Sequence, residues 1–237
     1  MAKASSEDGS ESLSVPWTDI VRFVRQLSHD IRNNLNAAEL QSAYIDELTD
    51  EAELKSEIKR LREMIAEIGS SLQRLTTGLG QISPSFMSYR AADFAEDLKQ
   101  KIEEDYADRA AKVKWEVQLG EATLNIDPLL LEQAFMELFS NAFQHERNVT
   151  TLTAKAYIEN DRFTFTLREP KARFETSTEK WGREPLRKIS QGHYGLGLNR
   201  VRLIVEAHDG ELRGHYDQEA SVLLTTMTLP LSSKERP

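Results

Sequence analysis

Apolar residues recur near the start of the chain at Ile20, Val24, Leu27, Ile31, Ala38, Ile45 and Leu48, with Asn34 and Gln41 in the two positions the series skips. Steps of three and four place them on one stripe of a long helix. The next segment is stricter: Leu54, Ile58, Leu61, Ile65, Ile68, Leu72, Leu75, Leu79 and Ile82 alternate steps of four and three without a break. Such a seam marks a helix that packs along its whole length against other helices. At about 1.5 Å per residue this second helix is about 40 Å long, more than one partner in a small domain covers. The polar link Thr49-Asp50-Glu51 is short enough to fold the two helices into an antiparallel hairpin. Two such hairpins from two chains close a four-helix bundle, so a homodimer is expected. The alternative is that the second helix packs across the remainder of its own chain.

The pattern changes after Gly78, Gly80 and Pro84, which puts a domain boundary between Ile82 and Ser88. A helical hairpin over 16–83 is therefore expected to precede an α/β sandwich over 84–232, an α+β chain as a whole. In the second part Ala92 to Arg109 reads as a helix. Val113, Trp115, Val117 and Leu119 alternate as a half-buried strand, and Thr123 to Ile126 as another. Asp127 as N-cap with Pro128 at the first helical position opens a helix carrying Leu131, Ala134, Phe135, Leu138 and Ala142 on one face. Thr151–Ile158 and Arg162–Leu167 read as a hairpin over Asn160-Asp161, Leu198–Ala207 as a helix and Ser221–Leu229 as a last strand.

Composition narrows the chemistry. With 237 residues, 39% of them hydrophobic, the chain has enough apolar material for a real core, although residues 1–15 are rich in Ser, Glu, Asp and Gly and read as a flexible tail. There is no cysteine, which excludes disulfides, thiolate metal sites and cysteine nucleophiles. A net charge of −9 has the wrong sign for general affinity to nucleic acid. No apolar run approaches the ~20 residues a membrane span needs, and the N-terminus lacks a signal-peptide core, so a cytoplasmic location without membrane insertion is expected.

One segment is long and without period. Pro170 to Gln191 is polar over more than twenty residues, the length of a lid or binding loop. It runs into Gly192-His193-Tyr194-Gly195-Leu196-Gly197-Leu198, where glycines entering a helix let backbone N–H groups approach a phosphate. Alone this signal is weak, because glycine turns open many helices that bind nothing.

Three segments in order carry a resemblance. Ser28-His29-Asp30-Ile31-Arg32-Asn33-Asn34-Leu35 resembles the phosphoacceptor box of two-component sensor histidine kinases. Glu132-Gln133 through Glu137-Leu138-Phe139-Ser140-Asn141-Ala142 resembles their N box. Gly195-Leu196-Gly197-Leu198, continuing to Val205-Glu206-Ala207-His208-Asp209-Gly210-Glu211-Leu212, is similar to their second glycine box with its helix and strand. The resemblance covers residues 17–230. It implies a dimeric helical-hairpin bundle bearing the histidine, joined to a Bergerat-type sandwich that binds ATP. It further implies that Mg-ATP donates its γ-phosphoryl group to His29 and that an aspartate on the receiver domain of a response regulator accepts it.

The residues make chemical sense of this. With the seam at Val24, Leu27 and Ile31, His29 points away from it and is open to an incoming phosphate. Attack needs the neutral ring, which an imidazole with an ordinary pKa near ~6.5 supplies in part at neutral pH. Asp30 is placed to orient the ring or take its proton, and Asn33, four residues on, shares the histidine's face. In the family an acid next to the histidine serves the kinase step, and a residue at the Asn33 position helps place water for dephosphorylating the regulator. Glu137 and Asn141 also lie one helical turn apart. The resemblance assigns Asn141 to Mg²⁺, an oxygen ligand of the kind this cation takes. Glu137 stands where many of these kinases carry Asn and related ATP hydrolases carry a general base, so hydrolysis or a plain surface salt bridge are both open readings. Gly192, Gly195, Leu196 and Gly197 are implied at the nucleotide; His145, His193 and His208 read as packing, lid and helix-end residues, and of these His145 and His193 are the two candidates to lie near nucleotide.

The chain also departs from the pattern. Where a first glycine box of the form Asp-x-Gly-x-Gly is expected, it reads Leu167-Arg168-Glu169-Pro170-Lys171-Ala172-Arg173. Glu169 stands in for the aspartate that recognises the adenine amino group, one methylene longer, and both glycines are gone. No sensor domain is recognisable, so input is expected from a separate sensor protein or a ligand. Two functions follow: a histidine autokinase with a divergent pocket, or an ATP-independent phosphotransferase or response-regulator phosphatase.

Overall fold

The computed structural model describes residues 16–144, 151–174, 177–183 and 195–232. They form two compact units, divided after Leu79. Among the described residues, no helix is long and apolar enough to cross a membrane.

The first unit is a helical hairpin of α1 (Trp17–Leu48) and α2 (Ala52–Gly78). The turn between them is tied by the backbone N–H of Glu51 donating to Thr49 Oγ1 at 3.2 Å. The line of α1 that meets α2 is not apolar throughout. Its two buried residues are Ser28 and Ser42, small side chains that let the helix axes approach, and Ser42 returns its hydroxyl to the Glu39 carbonyl at 2.8 Å. Long polar side chains bridge the helices: Arg62 to Glu39 at 2.8 Å, Arg32 to Gln73 at 2.6 Å, and Arg25 to the Leu79 carbonyl at 2.8 Å. The apolar stripe read from the sequence is divided: Ile58 is buried and Val24, Ile31, Ile65, Leu72 and Leu75 are half-buried, while Ile20, Leu27, Ile45 and Leu48 on α1 and Leu54, Leu61 and Ile68 on α2 are exposed.

The second unit is a five-stranded sheet in the order β2-β4-β5-β7-β6, one face of which is covered by helices. Its strands are β2 (Val113–Gln118), β4 (Leu152–Glu159), β5 (Arg162–Pro170), β6 (Glu211–Asp217) and β7 (Val222–Pro230). β2 pairs parallel to β4 and the other pairs are antiparallel. A small ribbon of β1 (Met87–Arg90) and β3 (Thr123–Ile126) stands apart from the sheet. The helices are α3 (Ala91–Asp105), the single turn α4 (Ala107–Ala110), α5 (Pro128–Gln144) and α6 (Gly197–Ala207).

Alternation on β4, β5 and β7 buries one face of the sheet: Ala154, Ala156, Phe165, Leu167, Met227 and Leu229. Against it α5 lays Leu131, Phe135, Leu138 and Phe139, with Phe135 edge-on to Phe165 at 4.7 Å and Trp115 stacked on Phe139 at 5.6 Å. The Asn160-Asp161 turn has both residues at positive φ, 51° and 57°, the geometry a two-residue hairpin requires. Three sequence expectations are corrected. The helix from Ala92 breaks at Tyr106, leaving α4 as a separate turn; β1 was not foreseen; and β5 runs on past Leu167 to Pro170, in register with β7 down to Val222.

Candidate functional site

His29 lies on the open side of α1, its side chain 67% exposed. Its Nδ1 is 3.4 Å from Asp30 Oδ1 and 3.4 Å from Asn33 Nδ2, while Gln26 donates to Asp30 Oδ1 at 3.0 Å and holds that carboxylate beside the ring. The Asp30 carboxylate suits a proton on Nδ1 and the Asn33 amide nitrogen suits a lone pair there; in the tautomer that pairs with Asp30, Nε2 carries the lone pair. The helix thus brings His29, Asp30 and Asn33 together as the spacing required.

In the second unit α5 presents a polar stripe, Gln133, Glu137 and Asn141, opposite its buried face. Asn141 donates to Glu137 Oε1 at 3.2 Å. Facing the stripe is the start of α6: Gly195 holds φ at +64°, Leu196 is buried at the N-cap, and Gly197 opens the helix directly against the Glu137 carboxylate. A β-carbon on Gly197 would overlap that carboxylate, so the glycine is there for close packing. The carboxylate and the carboxamide are both oxygen donors suited to Mg²⁺. His145 and Gly192, also expected here, lie outside the described residues, as does His193.

Arg200 was not foreseen. One turn into α6, it donates to Gln133 Oε1 at 3.2 Å, and burial pulls its pKa below the usual guanidinium value while the nearby Glu137 charge pushes it back up. The signal was available: it lies three residues after Gly197 and four before the buried Ile204, on the inward side of α6.

Glu169 is buried on the helix-covered face of the sheet, at the far end of β5. Its carboxylate meets Lys171 Nζ at 2.8 Å, with the side chains only 6% and 14% exposed. Lys171 is itself fixed: its N–H donates to the Ser221 carbonyl at 2.7 Å, its carbonyl accepts from the Tyr216 hydroxyl at 2.9 Å, and its ammonium sits 5.6 Å from the Phe174 ring centre. Phe174 also packs on Trp181 and Tyr216, at 5.8 and 5.5 Å. Trp181 in turn lies on Gly214, and its carbonyl and that of Gly182 accept from Arg202 and Asn199 of α6. The supposed lid is therefore in part a seated segment: aromatic side chains anchor 171–174 and 177–183 to β6 and α6. Its lack of period hid this, because two aromatics seven residues apart make no pattern.

No protein-family model matches the sequence, and no curated protein matches it. Solved structures do. Full-length ShkA in complex with AMPPNP superposes with a TM-score of 0.69 at 17% identity, over 91% of this chain and 47% of ShkA. This is the fold of a histidine kinase transmitter core. The chain spans about half of ShkA. The histidine kinase AdeS of Acinetobacter baumannii matches with a TM-score of 0.52 at 16% identity, over 85% of this chain and 96% of AdeS. The mycobacterial sensor histidine kinase MprB matches with a TM-score of 0.50 at 15% identity, over 62% of this chain and 98% of MprB.

Proposed function

We propose that this chain is a two-component phosphorelay protein in which His29 takes the γ-phosphoryl group of Mg-ATP and passes it to an aspartate on a response regulator. The observation that carries the reading is the histidine itself, exposed, with Nδ1 beside a carboxylate and Nε2 free to attack. The Nε2 lone pair bonds the γ-phosphorus as the bond to the β-phosphate bridging oxygen breaks, and ADP leaves. The proton stays on Nδ1, where Asp30 stabilises the positive charge the ring gains. The phosphoryl group then moves from Nε2 to a carboxylate oxygen of the regulator. Asn33, on the same face, places water for the reverse, hydrolytic step.

In this reading Asn141 would hold Mg²⁺, with Glu137 beside it, and the ion would supply charge neutralisation at the phosphates. The turn at Gly195, Leu196 and Gly197 faces the phosphates. The fold similarity to ShkA with AMPPNP supports nucleotide binding. The open stripe on the hairpin supports a homodimer closed into a four-helix bundle. Leu40 and Tyr44, 72% and 56% exposed, fall on the same face of α1 as His29, eleven and fifteen residues on, and give a receiver domain an apolar surface to dock on.

One observation favours a second reading. The Glu169–Lys171 ion pair engages the carboxylate expected to read adenine, which supports a phosphotransferase or regulator phosphatase that uses no ATP. Incubation with γ-labelled Mg-ATP decides between them. Acid-labile, base-stable label present in wild type and lost in His29→Ala is the expected result; its absence from both transfers the function to the second reading, and label from a phosphorylated regulator reaching His29 then tests that.

A further inference from the structure

We propose that His29 is a two-position selector: Asp30 and Asn33 compete for its Nδ1, the pairing fixes which ring nitrogen carries the proton, and Gln26 is the positioning residue that weights the competition toward Asp30. The inference rests on the phosphorelay reading above and deepens it, by stating what separates the forward step from the hydrolytic one.

Nδ1 lies 3.4 Å from Asp30 Oδ1 and 3.4 Å from Asn33 Nδ2. The two neighbours make opposite demands on it. A carboxylate accepts, so it pairs with Nδ1 when that atom bears a proton; an amide nitrogen donates, so it pairs with Nδ1 when that atom bears a lone pair. A neutral imidazole has one proton for two nitrogens, so each pairing excludes the other. Paired with Asp30, the ring has its lone pair on Nε2, the nitrogen that attacks phosphorus in the proposed reaction. Paired with Asn33, it has its proton on Nε2 and no lone pair there to attack with. That second state also fixes the Asn33 amide by its nitrogen and leaves the carboxamide oxygen to accept from water. Passing between the two states releases a proton from Nδ1 to water and takes one up at Nε2, so the ring stays neutral. The first state serves capture of the phosphoryl group and the second serves hydrolysis.

Because the two distances are equal, a third group tips the balance. Gln26 lies one turn before Asp30 on α1 and donates from Nε2 to Asp30 Oδ1 at 3.0 Å. This is the same carboxylate oxygen that approaches Nδ1, so the bond keeps Asp30 turned to the histidine's side of the helix. Gln26, His29, Asp30 and Asn33 are all exposed. Each pairing therefore competes with water, and removing one shifts the balance by a small factor rather than abolishing a state.

The test reads the tautomer directly. Long-range ¹H–¹⁵N correlation spectra of the full chain, labelled on histidine nitrogen and held at about pH 8.5 where an ordinary imidazole is neutral, give the ratio of the Nδ1–H to the Nε2–H form. His29→Gln identifies the His29 signals among those of the five histidines. Asp30→Ala is expected to lower the ratio and Asn33→Ala to raise it, each about threefold, and Gln26→Leu to lower it about twofold, the scale of single exposed hydrogen bonds. Gln26→Lys keeps a donor one turn before Asp30 and is expected to keep the wild-type ratio. A ratio that Asp30→Ala and Asn33→Ala shift the same way, or that neither shifts, overturns the competition. A ratio unmoved by Gln26→Leu, or lowered as much by Gln26→Lys, overturns the role of Gln26. The spectra are recorded without ATP, so absence of label from wild type in the ATP assay overturns the phosphorelay reading, while the ratios decide the competition separately.

Discussion

Gly197 and Glu137 touch across the α5–α6 cleft so closely that no side chain fits between them. The contact locks the start of α6 to the polar stripe of α5. Gly197→Ala is therefore expected to turn the Glu137 side chain aside, at a cost to the α/β unit of about 1 kcal/mol or less, because the obstruction is the end of a flexible side chain. The loss arises from overlap with one side chain, so Gly197→Ala combined with Glu137→Ala is expected to recover most of it. Urea unfolding of the two single variants and the double variant checks this; a double variant no more stable than Gly197→Ala would show that the backbone, not Glu137, resists the substitution.

In the proposed reaction Asp30 acts on His29 through Nδ1, 3.4 Å from its carboxylate and on the ring side away from Nε2. Asp30→Asn removes the charge that stabilises the ring cation while keeping the shape, and is expected to slow phosphorylation of His29 by about 10²-fold. Asn33→Ala leaves that charge in place and is expected to spare the forward step while slowing loss of phosphate from the regulator. Initial rates of labelling, measured beside regulator dephosphorylation, separate the two; equal effects of both variants on both steps would remove the division of roles.

Much of the fold was legible because burial imposes a period. The seam from Leu54 and the alternation of Val113, Trp115 and Val117 each encode a face, and the structure has a helix there, ending at Gly78 before Leu79 and Ile82, and a strand. What was not legible was contact without period. β5 gains its last residues by pairing with β7, so Glu169 becomes a buried residue at a place where local sequence reads as a charged loop. Arg200 is one cation among 30 Lys and Arg, and only the approach of Gln133 and Glu137 distinguishes it. The grouping of His29, Asp30 and Asn33 was foreseeable from spacing, because the three residues sit within one turn and a little more of a single helix. The hairpin was legible as a pair of helices, but which apolar positions the hairpin itself covers was not: Ile58 is buried beside small Ser28 and Ser42, and Leu27, Leu61 and Ile68 remain exposed.

That open stripe makes the dimer testable without disturbing the hairpin. Leu61 and Ile68 are seven residues apart on α2 and about half exposed in a single chain, at 48% and 47%. Glu at both positions costs an isolated hairpin little and places like charges in any seam formed with a second copy. The double variant is expected to run at half the mass of wild type by light scattering, with its helical circular dichroism kept. Unchanged mass would refute the bundle, and lost helicity would show that the stripe serves the hairpin itself.

Acid should loosen the α/β unit through Asp127, which joins three parts of it. Its carboxylate accepts from Ser85 and Leu130, and its own N–H donates to His208 Nε2 at 3.0 Å, while the other His208 ring nitrogen, Nδ1, lies 2.7 Å from the Ile204 carbonyl. Burial by itself would push the carboxyl pKa up. The backbone N–H groups of Ser85, Leu130 and Leu129, with His208 nearby, favour the charged form and hold it below its usual value. A carboxyl depressed on folding contributes stability that is present above its unfolded pKa of about 4 and is lost as pH falls through the lower folded value. Asp127→Asn removes that contribution and part of the α5 cap together, a loss of about 1–2 kcal/mol at neutral pH. Unfolding by urea at pH 7 and at pH 3 checks both. Wild type is expected to lose more stability than Asp127→Asn between the two, so that the curves converge in acid; a gap of constant size would place the acid sensitivity on other carboxylates.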